Sequence, residues 1–94
     1  MAATKIKPRK DIQEVLRAKG QHYGDFLNHA RITQNIKRAL VDSKNWEELP
    51  DAMKESLEMV AHKIGRLLNG NPLYKDSWID MIGYLQLIVN DLED

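Results

Sequence analysis

The chain has 94 residues, with 14 Lys/Arg against 14 Asp/Glu, and no cysteine. That length makes one small domain, and the missing cysteines exclude disulfides, zinc–thiolate sites and thiol catalysis. With 43% apolar and 30% charged residues the composition is that of a folded, soluble chain, and no apolar run approaches the roughly 18 residues of a membrane span. No secretory signal is expected, which places the protein in the cytoplasm. Charge is unevenly spread. Residues 1–19 carry six Lys/Arg against Asp11 and Glu14, whereas residues 71–94 carry Lys75 against five carboxylates. A basic arm meeting an acidic end, within or between subunits, accounts for this better than nucleic-acid binding, which calls for an overall positive excess.

Residues 1–8 read as a loose basic arm, and residues 9–94 as a single helical domain. Ile12, Val15 and Leu16 recur at helical spacing, so a short first helix is expected over about residues 9–19, stopped by Gly20. The segment Gly20-Gln21-His22-Tyr23-Gly24 reads as a turn, and Asp25 as the cap of a second helix. Phe26, Ala30, Thr33, Ile36, Leu40 and Val41 supply the apolar face of that helix. After a connection over residues 44–50, Pro50 marks the start of a third helix. Its Met53, Leu57, Val60, Ile64, Leu67 and Leu68 lie within an arc of about 100°. Asn69-Gly70 ends it, and Asn71-Pro72 forbids immediate continuation. Asp76 or Ser77 is the expected cap of a fourth helix, whose buried stripe reads Trp78, Ile82, Leu85, Val89 and Leu92. The fold class is all-α: a small antiparallel bundle of three long helices and a short first one, completed by homo-oligomerisation. Two features of the fourth helix motivate the oligomer. Leu87 and Ile79 make a second apolar flank, and Gly83 costs about 1 kcal/mol inside a helix unless something packs closely there.

Candidate chemistry sits on the polar face of the third helix. Glu55, Glu58, His62, Arg66 and Asn69 fall within an arc of about 80° opposite the apolar residues. A Glu-x-x-Glu pair one turn apart can hold a hard cation, and Arg66, with Lys63 and His62 nearby, can face phosphate oxygens. The same residues also suit an ordinary solvated face with i,i+4 partners. Asp76 and Asp80 add two carboxylates one turn apart on the fourth helix. Tyr23, Tyr74 and Tyr84 are candidates for contact with a ligand, Tyr23 and Tyr74 by stacking on a base. His22 and His29 read as surface or capping residues. There is no glycine-rich phosphate loop, zinc motif or Ser-His-Asp set.

Three blocks together resemble a small family of phage and prophage proteins of uncharacterised function. They are Tyr23-Gly24-Asp25-Phe26 with Ala30-Arg31-Ile32; Met59-Val60-Ala61-His62-Lys63-Ile64-Gly65-Arg66-Leu67-Leu68-Asn69-Gly70; and Asp76-Ser77-Trp78-Ile79-Asp80-Met81-Ile82-Gly83-Tyr84. More distantly, the chain is similar to the all-α nucleoside triphosphate pyrophosphatases of the MazG-like kind. That resemblance implies Mg²⁺ held by Glu-x-x-Glu on one helix and Glu-x-x-Asp on the next. Glu55 and Glu58 match the first pair and Asp80 the last position. Ser77 stands where the remaining carboxylate belongs, and Asp76 is its nearest substitute.

Three functions follow as alternatives. The first is a Mg²⁺-dependent nucleotide pyrophosphohydrolase, with the metal on Glu55, Glu58, Asp76 and Asp80 and the ligand on His62, Lys63, Arg66, Tyr23, Tyr74 and Tyr84. A non-catalytic anti-defence protein that sequesters a nucleotide signal is the second. The third is an inhibitor that binds a host protein. Whether the chain is an enzyme stays open at this point.

Overall fold

The computed structural model describes residues 9–92 and, within them, every side chain except those at positions 9, 10, 21 and 22. The expected arm over residues 1–8 and the side chain of His22 lie outside these described residues. The architecture is all-α, as expected. Helix α1 spans Arg9–Tyr23, α2 Phe26–Val41, α3 Asp51–Asn69 and α4 Lys75–Asp91, with a 3₁₀ turn at Trp46–Glu48 between α2 and α3. Among the described residues no helix is long and apolar enough to cross a membrane.

Helix α3 is the centre of the molecule. α2 packs on one of its flanks, where His29 and Thr33 meet Gly65 and the nearby Ala61 is 2% exposed. α4 packs on the other, where Ser56 Oγ donates to the Tyr84 carbonyl at 2.9 Å and Lys63 pairs with Asp80. The two flanks lie about 160° apart around the α3 axis, so the three helices form a single layer. Small residues set both contacts. A Cβ on Gly65 would overlap Thr33 Oγ1 and stand 3.0 Å from the His29 ring. Glycine is therefore what lets α2 approach at this point, despite its cost of about 1 kcal/mol inside a helix.

A layer has two sides, and α3 gives each a different chemistry. Met53, Leu57, Val60 and Ile64 face one side, half-buried. Glu55, Glu58, His62, Arg66 and Asn69 face the other. Trp46 in the 3₁₀ turn is 6% exposed and closes the end of the layer near the start of α3, with Lys54 Nζ 5.9 Å from its ring.

Several sequence expectations are corrected. Helix α1 does not stop at Gly20 but runs on to Tyr23. The residue that ends it is Gly24, whose φ of 79° is the left-handed conformation of a helix C-cap glycine. Ile12, Val15 and Leu16 are each more than half exposed, because α1 touches the layer only near its C-terminal end. Asp25 caps α2 as expected, accepting from the Asn28 N–H at 3.0 Å. Helix α4 starts two or three residues earlier than expected, with Tyr74 rather than Asp76 or Ser77 at its N-cap and no side-chain cap. Ser77 is instead 2% exposed in the contact with α3. Asp76 falls in the first turn, where its charge still suits the helix dipole.

The largest correction concerns the face that α4 buries. Ser77, Met81, Tyr84 and Ile88 turn toward α3, and the stripe Trp78, Ile82, Leu85, Val89 and Leu92 lies about 90° further round. All five stripe residues are exposed. Trp78 Nε1 donates to the Pro72 carbonyl at 2.8 Å, which ties the ring to the α3–α4 turn while leaving it half exposed. Ser77 on α4 and Ser56 on α3 are both buried where the two helices meet and permit close contact there, while the five stripe residues are left for another surface. Gly83 has nothing within 4 Å of a Cβ position, so no described residue supplies the close neighbour expected there.

Gly65→Ala is expected to lower stability by about 2 kcal/mol, the overpacking cost exceeding the gain in helix propensity. Adding Thr33→Ala should recover part of the loss. Urea denaturation of both single variants and the double variant measures this coupling, and strictly additive effects would contradict the contact.

Candidate functional site

The continuation of α1 past Gly20 builds the site. Leu16, Lys19, Gly20 and Tyr23 recur at i, i+3, i+4 and i+7 and therefore share one face. That face opposes Phe26 and His29 of α2 and His62 and Arg66 of α3, enclosing a cavity of about 420 Å³. The Arg66 guanidinium carbon lies 4.0 Å from the centre of the Tyr23 ring, a cation–π contact. Tyr74 packs edge-on against Tyr23, with ring centres 5.9 Å apart, and backs that ring from the start of α4.

Asn69 holds the cavity's turn in place. Its Nδ2 donates to the Tyr23 carbonyl at 2.8 Å and to the Asp25 carbonyl at 2.6 Å, while its Oδ1 accepts from Asn28 Nδ2 at 2.6 Å. Gly24 lies directly against it, since a Cβ at that position would overlap the Asn69 carbonyl oxygen. Positive φ and lack of space thus both require glycine there. The blocks around Tyr23-Gly24-Asp25-Phe26 and around Ala61–Gly70 are far apart in sequence and meet at this one place.

Two neutral histidines form the cavity's inner wall. His29 Nε2 lies 3.4 Å from His62 Nδ1 and 3.5 Å from Thr33 Oγ1, with the two imidazoles edge-on and 4.8 Å between ring centres. His29 is 6% exposed, which corrects the expectation of a surface residue. Its Nδ1 is sealed against Gly65 with no well-aligned hydrogen-bond partner. Burial pushes the His62 imidazole down to about 4, reinforced by the charge of Arg66 and by His29. Burial likewise holds His29 below the ordinary histidine range, against a smaller opposing effect of the Gly65 backbone and with Arg66 adding to the lowering. At neutral pH the pair therefore presents hydrogen-bonding atoms without charge, and the cations at the cavity are Lys19 and Arg66.

The residues singled out in the sequence divide into three places. Tyr23, His62 and Arg66 line this cavity, with Tyr74 behind Tyr23. Lys63 and Asp80 instead pair with each other at 2.8 Å, with the lysine side chain 10% exposed and the carboxylate 46%. Glu55 and Tyr84 line a second, open cavity of about 450 Å³ between α3 and α4, together with Asp91. Glu58 stays on the polar side of α3, and Asp76 in the first turn of α4 raises the pKa of the neighbouring Tyr74 phenol. Among the described residues no three His, Asp or Glu side chains come together as a metal-holding group. The Lys63 ammonium supplies Asp80 with its counter-charge, the role a cation would play at that carboxylate.

Lys19, Phe26 and His29 were not expected in the site. Lys19 shares a face with Tyr23 only if the helix passes through Gly20, so the position assigned to that glycine hid it. Phe26 belongs to a recognisable block, but its aim depends on the turn at Gly24. The burial of His29 follows from Gly65 on another helix, a pairing no spacing within α2 signals.

Comparison with family models, with curated proteins and with solved structures finds no match to this chain. What the site can do is therefore read from its geometry.

Stability should fall as pH drops. A histidine whose folded pKa is depressed favours the native state above its ordinary value of 6.5, and that contribution is lost as pH falls through the folded value of about 4. For His62 the loss should be roughly 2 kcal/mol after allowance for partial solvent screening. Denaturation at stepped pH would show it as a difference between the native chain and His62→Gln, the variant having the flatter profile. Parallel profiles would remove this assignment.

Breaking the ion pair should be costly from one side only. Asp80→Asn leaves a buried ammonium without its counter-charge and is expected to cost about 2 kcal/mol, whereas Lys63→Met, which leaves a half-exposed carboxylate free to hydrate, should cost less. Thermal melts of the two variants at one pH check the order.

Proposed function

We propose that this protein binds a nucleotide in the cavity between the α1–α2 turn and α3, and that binding rather than hydrolysis is its function. The observation that carries this reading is the convergence of Tyr23, His62 and Arg66, from separate elements, on one cavity of about 420 Å³. That size suits a small organic ligand. Its contents match the two halves of a nucleotide. Arg66 and Lys19 are cations for phosphate oxygens, Arg66 in the planar form that can engage two oxygens at once. Tyr23 and Phe26 are flat surfaces for a base. His29 and His62 provide neutral polar atoms beside them. Phosphate would compete with the Tyr23 ring for the Arg66 guanidinium, a cheap exchange because a cation–π contact is worth less than a charge-assisted hydrogen bond.

Two observations favour binding over Mg²⁺-dependent pyrophosphohydrolysis. Asp80 is already engaged by Lys63, and Glu55 faces the other cavity alongside Asp91. The carboxylates Glu55, Glu58, Asp76 and Asp80 would have to move together before they could share an ion. In the phage setting that the sequence resemblance implies, a binder of this kind would withhold a nucleotide signal from the host's defences. Inhibition of a host protein is the reading that remains if no nucleotide binds.

The test is retention of a nucleotide panel, including ribo-, deoxy- and cyclic forms, with and without Mg²⁺, followed by heat release and mass analysis. One nucleotide should be retained and recovered unchanged, and Arg66→Ala should weaken its binding by about tenfold to a hundredfold. Recovery as a monophosphate with pyrophosphate would establish the enzyme instead. Passage of the whole panel into the filtrate would sink both nucleotide readings.

A further inference from the structure

The apolar stripe of α4 has no cover among the described residues. Trp78 is 52% exposed, Ile82 65%, Leu85 44%, Val89 59% and Leu92 56%. Leu85 and Val89 run on into Leu49, Met53 and Leu57 across a shallow cavity of about 220 Å³, so the open surface continues from α4 onto the apolar side of α3. The radius of gyration is 17.0 Å, against about 12 Å for a compact domain of this length. The chain has the shape of part of a larger core.

We propose that a second copy of this chain covers this face, with α4 packed on α4 about a two-fold axis, so that two α3–α4 hairpins close into one helical bundle. Area is the first reason. The five stripe residues leave on the order of 600 Å² exposed, most of the roughly 800 Å² per partner that a stable interface buries. Charge is the second, and it selects the occupant. A two-fold contact sets a surface against itself, so any charge at its centre meets its own kind. The arc from Leu92 through Trp78 to Ile82 contains no charged residue. Asp76, Asp80 and Asp91 all lie on the far side of the helix, about 160–220° round from Trp78. At the margin Gln86 and Asn90 satisfy each other at 2.7 Å and present no charge, and Lys75, in the first turn of the helix, is the charged residue that borders the stripe. A lipid surface is a poor alternative, because helices that lie on membranes set Lys and Arg along the apolar face, whereas α4 carries a single cation, Lys75 at its start, against three aspartates.

The test is the molar mass of the full chain by size-exclusion chromatography with light scattering over a concentration series, with far-ultraviolet circular dichroism as the check on folding. The native chain should run as a dimer or an even multiple of one. Ile82→Glu and Val89→Glu should each raise the dissociation constant at least about a hundredfold, since two-fold symmetry buries the new carboxylate twice. Leu73→Glu, at an 85% exposed position in the α3–α4 turn, should leave the mass unchanged. Cross-linking covers the case in which a separated subunit loses its helices. In this cysteine-free chain, Val89→Cys should oxidise to a covalent dimer, and Leu87→Cys, at a 65% exposed position on the opposite side of α4, should not. A monomeric native chain throughout the series would overturn the proposal. So would an oligomer that survives both glutamates, or equal cross-linking from Val89→Cys and Leu87→Cys.

Discussion

The distance between α2 and α3 at Gly65 sets the rest of the structure. Because there is no Cβ at that point, Thr33 and His29 can lie directly on the α3 backbone. That approach buries His29, brings it against His62, and puts the α1–α2 turn within reach of Asn69. Gly24 then ends α1 against the Asn69 carbonyl, and Tyr23 comes to rest on Arg66. A larger residue at position 65 would move α2 outward, and every later contact depends on α2 staying close. Packed interiors transmit such a displacement rather than absorb it.

Placing α2 and α4 on opposite flanks of one helix has a second consequence. The core is a seam on each flank of α3 rather than an enclosed interior. Ala61, Leu67, Met81 and Trp46 are its buried apolar residues, accompanied by Thr33, Ser56, Ser77, His29 and Lys63. Small and polar side chains do much of the packing, and their hydrogen bonds are made inside the seams, as at Ser56 and Tyr84. The larger apolar side chains are left on one open side of the layer, while the cavity with Arg66 and Tyr23 opens beside the polar residues of α3. The self-association and the ligand binding proposed above would therefore use separate surfaces.

Lys63 and Asp80 illustrate how one pair of residues fits two descriptions. By spacing, Lys63 neighbours a row of phosphate-facing candidates and Asp80 completes a set of metal carboxylates. In three dimensions each is the other's partner across the α3–α4 seam. A buried ammonium requires a counter-charge, and the carboxylate that meets this requirement is thereby engaged. The demand comes from burial, which spacing along a helix does not reveal.

The sequence by itself determined the helical class, the start of α3 at Pro50, the Asp25 cap, the stop at Asn69-Gly70 and the polar row Glu55–Asn69. These are local properties, set by backbone preferences and by periodicity within one helix. It also brought Tyr23, His62 and Arg66 into view as ligand-facing candidates. The tertiary structure alone decided which face each helix buries. Trp78, Ile82, Leu85, Val89 and Leu92 make the most apolar stripe of α4, yet Ser77, Met81, Tyr84 and Ile88 face α3, because a close seam between helices is set by the size and fit of the residues that meet there, Ser77 and Ser56 among them, as much as by their hydropathy. It likewise decided that α1 passes through Gly20. The cost of a glycine inside a helix is about 1 kcal/mol, and the contacts of Tyr23 with Arg66, Tyr74 and Asn69 outweigh it. Those contacts join residues more than 40 positions apart, and no local pattern in α1 carries a trace of them.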